Sequence, residues 1–349
     1  MAQAETLPFE TPPFEAAALD AWLMQHVDGF AGPISLTRFP GGQSIPSWRI
    51  DATSGTYVLR RKPDGPILKG AHSVEREARV QQALAGQGFP VPRVHALCED
   101  TSVLGSPFYV MDHVEGRIFW DPTFPEVPQR ERADYFDAMN ATLAQLHCID
   151  PQAAGLGDYG RPGNFFARQI GLWSKQYLGD PEAGRDPNMD ALVRDLPELI
   201  PPGDDTVVAH GDFRCDNMIF HPTEPRVIAV LDWELSTLGH PLADFAYHAM
   251  MYHMPAKGMN GLAGLDLHAL NIPDEAACIA AYCQRTGRQD IDHWSFYIAF
   301  NIFRLAAILH GIQGRVLRGT AASSSARERA ALFAPLAALA NRTLQRSGS

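Results

Sequence analysis

Apolar positions along the chain follow two different periods. Residues 15–28 set Leu19, Trp22, Leu23 and Val27 at helical spacing, which predicts a short amphipathic helix. ISLTRF, IPSWRID and TYVLRRK then follow as short, partly alternating runs separated by Gly, Pro and Ser, the pattern of a three-strand antiparallel meander. HSVEREARVQQALAGQG returns to helical spacing and stops at glycine. PRVHALCED and SPFYVMDHVEG supply two more strands. After Gly116 the character changes. Residues from about 129 to 147, 164 to 178 and 188 to 199 predict helices, TVVA at 206–209 and RVIAVLDWE predict short strands, and from Pro241 onward the pattern is almost entirely helical. The expected fold class is α+β, with a small antiparallel-sheet lobe at 1–112 and a larger, mainly helical lobe at 113–349. A crevice between two unequal lobes is the natural place for a ligand.

Composition narrows the function classes. The chain has 349 residues, 46% of them hydrophobic, enough for a large core. A formal net charge of -11 with no long Lys/Arg run argues against nucleic acid as a partner. Five cysteines, at 98, 148, 215, 278 and 283, include no CxxC pair, so neither a disulfide framework nor a structural zinc site is expected. Reduced thiols and a cytoplasmic setting are the expectation. The N-terminus lacks a basic and an apolar region of signal-peptide type. FYIAFNIFRLAAILHGI is broken by Asn301 and Arg304 and falls short of the roughly 20 apolar residues that span a bilayer, so a buried helix is expected there and no membrane.

The densest candidate chemistry is HGDFRCDNMIF, His210 to Phe220. Asp212 and Asn217 stand four residues apart, and Asp232 follows at the end of VIAVLDW. If the two short strands, TVVA and RVIAV, pair, they bring Asp212, Asn217 and Asp232 together. A carboxylate beside a hydroxyl can orient it and take its proton. An amide oxygen and a second carboxylate are hard oxygen ligands that suit Mg²⁺. Asp and Asn also cap turns, so this motif alone does not decide the matter. Three further features bear on it. Gly41, Gly42, Gln43 and Ser44 lie between the first two strands, where glycines let backbone amides approach phosphate oxygens. TYVLRRK carries Arg60 and Lys62 on one face and Arg61 on the other. Glu77 lies on a line with Val74, Gln81 and Leu84, and a carboxylate so placed needs a cationic partner.

In this order, GGQS, YVLR at 57–60, VERE at 74–77, FYVMDHVEG at 108–116, HGDFRCDN, VLDWE at 230–234 and GHPLADFA at 239–246 make residues 34–252 resemble the aminoglycoside phosphotransferase and choline kinase superfamily. That superfamily shares the protein-kinase-like fold. The closest likeness is to the branch whose domain also occurs fused to acyl-CoA dehydrogenases. The resemblance implies an ATP-dependent phosphotransferase, with ATP and Mg²⁺ as cofactors, that moves the γ-phosphoryl group to a hydroxyl of a small molecule. It implies Asp212 as the base, Asn217 and Asp232 as magnesium ligands, and Gly41, Gly42, Gln43 and Ser44 at the phosphates. Glu77 would pair with the cation of the third strand. Arg60 stands where many members have Lys, which leaves Arg60 and Lys62 as alternatives. The hinge, about Val110 to Val114 and including Met111 and His113, would bind adenine through backbone groups. Asp244 would hold the catalytic loop, His210 would be structural, and Cys215 a bystander.

The acceptor is expected in the helical half, where Trp294, Tyr297 and Arg304 recur at helical spacing. An Arg inside an apolar helix needs an anion or a carboxylate, which suggests a hydroxy acid or a hydroxyacyl-CoA. An aminoglycoside fits less well, since few carboxylates lie near this helix. The alternative is a nucleotide-binding pseudokinase acting as a regulator, against which Asp212, Asn217 and Asp232 are all present. A metal-dependent hydrolase built on His210 and Asp212 would leave the glycine turn unexplained.

Overall fold

The computed structural model describes residues 12–39, 45–64, 73–320 and 325–346. The chain divides into two compact units. The first comprises Met1–Ile118, Ala154–Leu156 and Asn217–Ser236, and the second takes the rest.

The first unit is built on five antiparallel strands: β1 Ser35–Arg38, β2 Ser47–Ala52, β3 Gly55–Arg61, β4 Val94–Cys98 and β5 Phe108–Asp112, in the order β1-β2-β3-β5-β4. Alternation along the strands serves two apolar layers. Trp48, Ile50, Leu59, Phe108 and Val110 pack with Leu19, Trp22 and Leu23 of helix α1, Ala16–His26. Val58, Tyr109 and Met111 face the other way and pack with Val74 and Ala78 of helix α2, Val74–Gly86. Arg60 shares the parity of Val58 and so faces the α2 side, whereas Arg61 shares that of Leu59. Its guanidinium donates to the Leu104 carbonyl at 2.9 and 2.8 Å.

Four three- or four-residue strands follow: β6 Val207–Ala209, β7 Met218–Phe220, β8 Val227–Val230 and β9 Thr237–Gly239. The expected pairing of TVVA with RVIAV does not form. β6 pairs with β9, and β8 pairs with β7, the apolar Met-Ile-Phe run that closes the opening motif. β7 and β8 are joined by only six residues, so their pairing closes a far shorter loop than a β6–β8 pair would. At Gly116 the chain passes so near β7 that an added Cβ would lie 2.3 Å from the Phe220 carbonyl oxygen. This close approach is available only to glycine.

The second unit is helical, as expected. Its central helix, Trp294–Leu317, packs against Phe333–Gln345, Pro241–Ala249 and Phe165–Leu178. By length and composition it could cross a membrane, but 72% of its most apolar window is buried within the protein. The helical expectation fails between His253 and Asp274. Pro255, left-handed Gly258 and Asn260, and left-handed Gly264 and Asn271 leave only the short turn Ala256–Met259 there. All five cysteines are free.

Candidate functional site

The chemistry of the first unit centres on Arg60. Strand parity turns Arg60 toward α2 and brings its guanidinium to Glu77, with Nε 3.0 Å from Oε2 and Nη2 3.1 Å from Oε1. Glu77 is only 1% exposed. The Tyr109 hydroxyl donates to Oε2 at 2.9 Å, and Gln81 in turn donates to that hydroxyl at 2.9 Å. The predicted stripe of Val74, Glu77, Gln81 and Leu84 is therefore a buried face of α2. Arg60 Nη2 also reaches Asp232 Oδ1 at 3.2 Å. Burial works against the guanidinium charge, yet Glu77 and Asp232 raise its pKa overall and keep it cationic. Burial pushes the Glu77 carboxyl up to about 7 against the pull of Arg60, and Asp232 and Glu234 push it the same way.

Asp232 follows β8 in a left-handed conformation, φ 63°. Carboxylate oxygens of Glu77, Asp232 and Glu234 lie within 4.8 Å of one another. An all-oxygen, acidic set of this kind fits the donor chemistry that Mg²⁺ requires. Glu234 is not among the residues singled out from the sequence, though it lies within the quoted VLDWE. The backbone carbonyl of Asn217 accepts from Leu231 N at 2.8 Å, which ties the start of β7 to the residue before Asp232. Lys62 lies past the end of β3, where its backbone N–H donates to the Pro107 carbonyl at 2.9 Å. Met111 is buried in β5 between Val58 and Val94. The His113 ring stacks on Phe39, and its Nδ1 is buried without a hydrogen-bond partner. Gly41, Gly42, Gln43 and Ser44 lie outside the described residues.

In the second unit, β6 runs directly into His210, Gly211 and Asp212. Gly211 has φ 84°, a left-handed turn that glycine adopts without strain. Asp244, in the first turn of the helix Pro241–Ala249, accepts the backbone N–H groups of His210 at 2.7 Å and Gly211 at 2.8 Å. His147 Nε2 lies 3.2 Å from the same carboxylate. Burial alone would raise the Asp244 pKa, but His147, His210 and the Gly211 N–H outweigh it and hold the group below the ordinary carboxylate range. Asp244 thus holds the loop, the role that the family resemblance implied. His210 is fully buried, and its Nδ1 accepts from Asp212 N at 3.2 Å.

The Asp212 carboxylate is 21% exposed. The Tyr247 hydroxyl donates to its Oδ1, and Arg214 Nε lies 3.5 Å from the same oxygen. Arg304 lies beside the same loop. Its guanidinium donates to the Gly211 carbonyl at 3.0 Å and lies 5.4 Å from the centre of the Tyr247 ring. Trp294 donates to Glu275 at 2.8 Å, and Tyr297 is buried with its ring stacked on His240. Burial and Asp216 push the Cys215 thiol up to about 12, so it stays protonated and is no nucleophile at neutral pH.

Beside this loop lies a cavity of about 140 Å³ with Met139, Met250, Met251, Met254 and Met259 in its wall. Arg214 and Tyr247, which both engage Asp212, also line it. His248 lines it too, with a buried Nε2 that has no hydrogen-bond partner.

Burial lowers the pKa of His248 to about 4, and likewise that of His240. Between about pH 6.5 and 4 the unfolded chain takes up protons at these rings that the folded chain refuses. Stability therefore falls as pH drops through that window. The expected loss between about pH 7 and pH 5 is roughly 2 kcal/mol per histidine. Urea unfolding at the two pH values measures it, and His248→Phe should flatten the dependence. An unchanged slope in that variant would contradict the assignment.

Comparison with known proteins resolves the family. Residues 35–297 match the model of the phosphotransferase enzyme family. The chain belongs to that family. A solved structure from Ralstonia eutropha JMP134 that carries the aminoglycoside phosphotransferase name is 49% identical to this family member, with a TM-score of 0.89 over 95% of this chain and 99% of that one. Choline kinase from Cryptosporidium parvum Iowa II, 13% identical with a TM-score of 0.63 over 95% of this chain and 97% of its own, shares the kinase-like fold. Acyl-CoA dehydrogenase family member 10 of Mus musculus is 43% identical over 311 residues, 88% of this chain. The phosphotransferase chain spans only 29% of that relative's length.

Proposed function

We propose that the protein transfers the γ-phosphoryl group of ATP to a hydroxyl of a small molecule. The observation that carries this reading is that Arg214 and Tyr247, which hold Asp212, both line the methionine-walled cavity. In this reading the acceptor hydroxyl enters that cavity. Asp212 orients it and accepts its proton as the acceptor oxygen bonds to phosphorus and the bond to the ADP oxygen breaks. Arg60 is the β3 cation of the nucleotide site, since it is the one paired with Glu77. Asp232 and Glu234, with Asn217, would hold Mg²⁺, which would neutralise charge on the phosphates. Gly41, Gly42, Gln43 and Ser44 would cover those phosphates, and the backbone around Met111 and His113 would meet the adenine.

A hydroxy acid or hydroxyacyl-CoA is the acceptor class favoured here. Methionine walls accommodate an apolar chain of variable shape, as the acyl part of such an acceptor requires. An aminoglycoside is disfavoured because the one carboxylate in the lining, Asp216, is already 2.5 Å from Arg214.

The test has two arms. Mg·ATP should raise the melting temperature of the wild type, and Asp232→Ala should lose most of that rise. ADP release should then be screened across hydroxy acids, their CoA thioesters, choline and an aminoglycoside. Stabilisation equal in Asp232→Ala and wild type would remove the metal assignment. Turnover confined to choline or the aminoglycoside would remove the acceptor class.

A further inference from the structure

The helix Pro241–Ala249 does more than hold the loop backbone. Asp244 and Tyr247 stand three residues apart, on one face of this helix. Asp244 takes the backbone N–H groups of His210 and Gly211, while Tyr247 reaches the side chain of the next residue, Asp212. A carboxylate held only through its backbone still turns about its side-chain bonds. Fixing one oxygen removes that freedom, and Arg214, 3.5 Å from the same oxygen and half exposed, holds it more loosely than the part-buried phenol does. The phenol is itself constrained, because the Arg304 guanidinium lies over its ring and anchors to the Gly211 carbonyl. The opposite demand comes from the cavity, whose wall includes the same tyrosine.

We propose that Tyr247 is a positioning residue: its hydroxyl holds Asp212 Oδ1 so that the carboxylate is presented to an acceptor in the methionine-walled cavity. This rests on the phosphotransfer reading of Asp212. Burial, followed by the Asp212 charge, keeps the phenol protonated well beyond the ordinary tyrosine range, so it remains a donor at any working pH. Tyr247 does not touch the transferred group in this account. It acts through Asp212.

The decisive variant is Tyr247→Phe, which deletes the hydroxyl and keeps the ring under Arg304 and in the cavity wall. ADP release from Mg·ATP is measured with 2-, 3- and 4-hydroxybutyrate as acceptors. The expected result is a fall in kcat of about ten- to a hundred-fold, with KM for ATP and the melting temperature unchanged. A purely structural tyrosine would leave kcat intact in this variant, or would move kcat, KM and melting temperature together. Either result overturns the proposal. A second readout is independent of turnover. In proton NMR the wild type should show a slowly exchanging tyrosine hydroxyl resonance that Tyr247→Phe and Asp212→Ala each remove. Its persistence in Asp212→Ala would also overturn the proposal. A wild type that releases no ADP with any of the three acceptors defeats the hydroxy-acid reading and the positioning role with it. Turnover in the wild type matched by Tyr247→Phe defeats the positioning role alone.

Discussion

Replacing Asp212 with alanine is expected to lower phosphotransfer by roughly a thousand-fold, within the range that positioned general bases contribute. Nucleotide binding should survive, because Arg60, Glu77 and Asp232 are held by one another. Folding should survive as well. The loop backbone is held from Asp244, and the Asp212 carboxylate is partly exposed. Its loss also frees the Tyr247 hydroxyl and leaves Arg214 paired only with Asp216. The measurement is ADP release at saturating Mg·ATP, alongside the Mg·ATP-induced rise in melting temperature. A variant as active as the wild type would end the kinase mechanism. A variant that loses the thermal shift would mean that the loop is structural instead.

The second large effect is on stability. Arg60→Met removes the guanidinium from a carboxylate that is 1% exposed and held otherwise by one phenol. Breaking a buried ion pair from one side costs about 3–5 kcal/mol, because the remaining charge has no solvent and no counterion. Glu77, already pushed upward by burial, would respond by taking up a proton. Urea unfolding of Arg60→Met should show the loss at neutral pH. Adding Glu77→Gln should restore much of it, since the uncompensated charge is then gone. If the double variant is no more stable than Arg60→Met, the cost lies in packing and the pair is not its source.

Much of this site was legible along the chain, for a physical reason. Glu77 fell on a three-four-three stripe with Val74, Gln81 and Leu84, which marked it as a carboxylate in need of a cation, while strand parity left Arg60 and Lys62 together on one face. The pairing with the third strand came from the family resemblance, and the structure gives it to Arg60. The pairings of β6 to β9 carry little such signal, because strands of three or four residues are too short for alternation to choose a partner. Glu234 sat in the quoted VLDWE, but only the tight turn after a left-handed Asp232 brings its carboxylate to the other two. Tyr247 was hidden in an apolar helix, where an aromatic at helical spacing resembles ordinary core. Only its distance of three residues from Asp244 hinted that both serve one loop. Arg304 stood out as an arginine in an apolar helix that needs an oxygen partner, and the Gly211 carbonyl is one such partner.

The assignment of Asn217–Ser236 to the first unit has a consequence for how the chain is made. A ribosome delivers the five-stranded sheet early, as residues 35–112, but Asp232 and Glu234, which complete the acidic cluster around Arg60, emerge only after the intervening helices. Until residue 236 has left the exit tunnel, the nascent sheet carries Arg60 and Glu77 without two of their neighbours. The first unit is thus finished late in translation, after much of the second has already been synthesised.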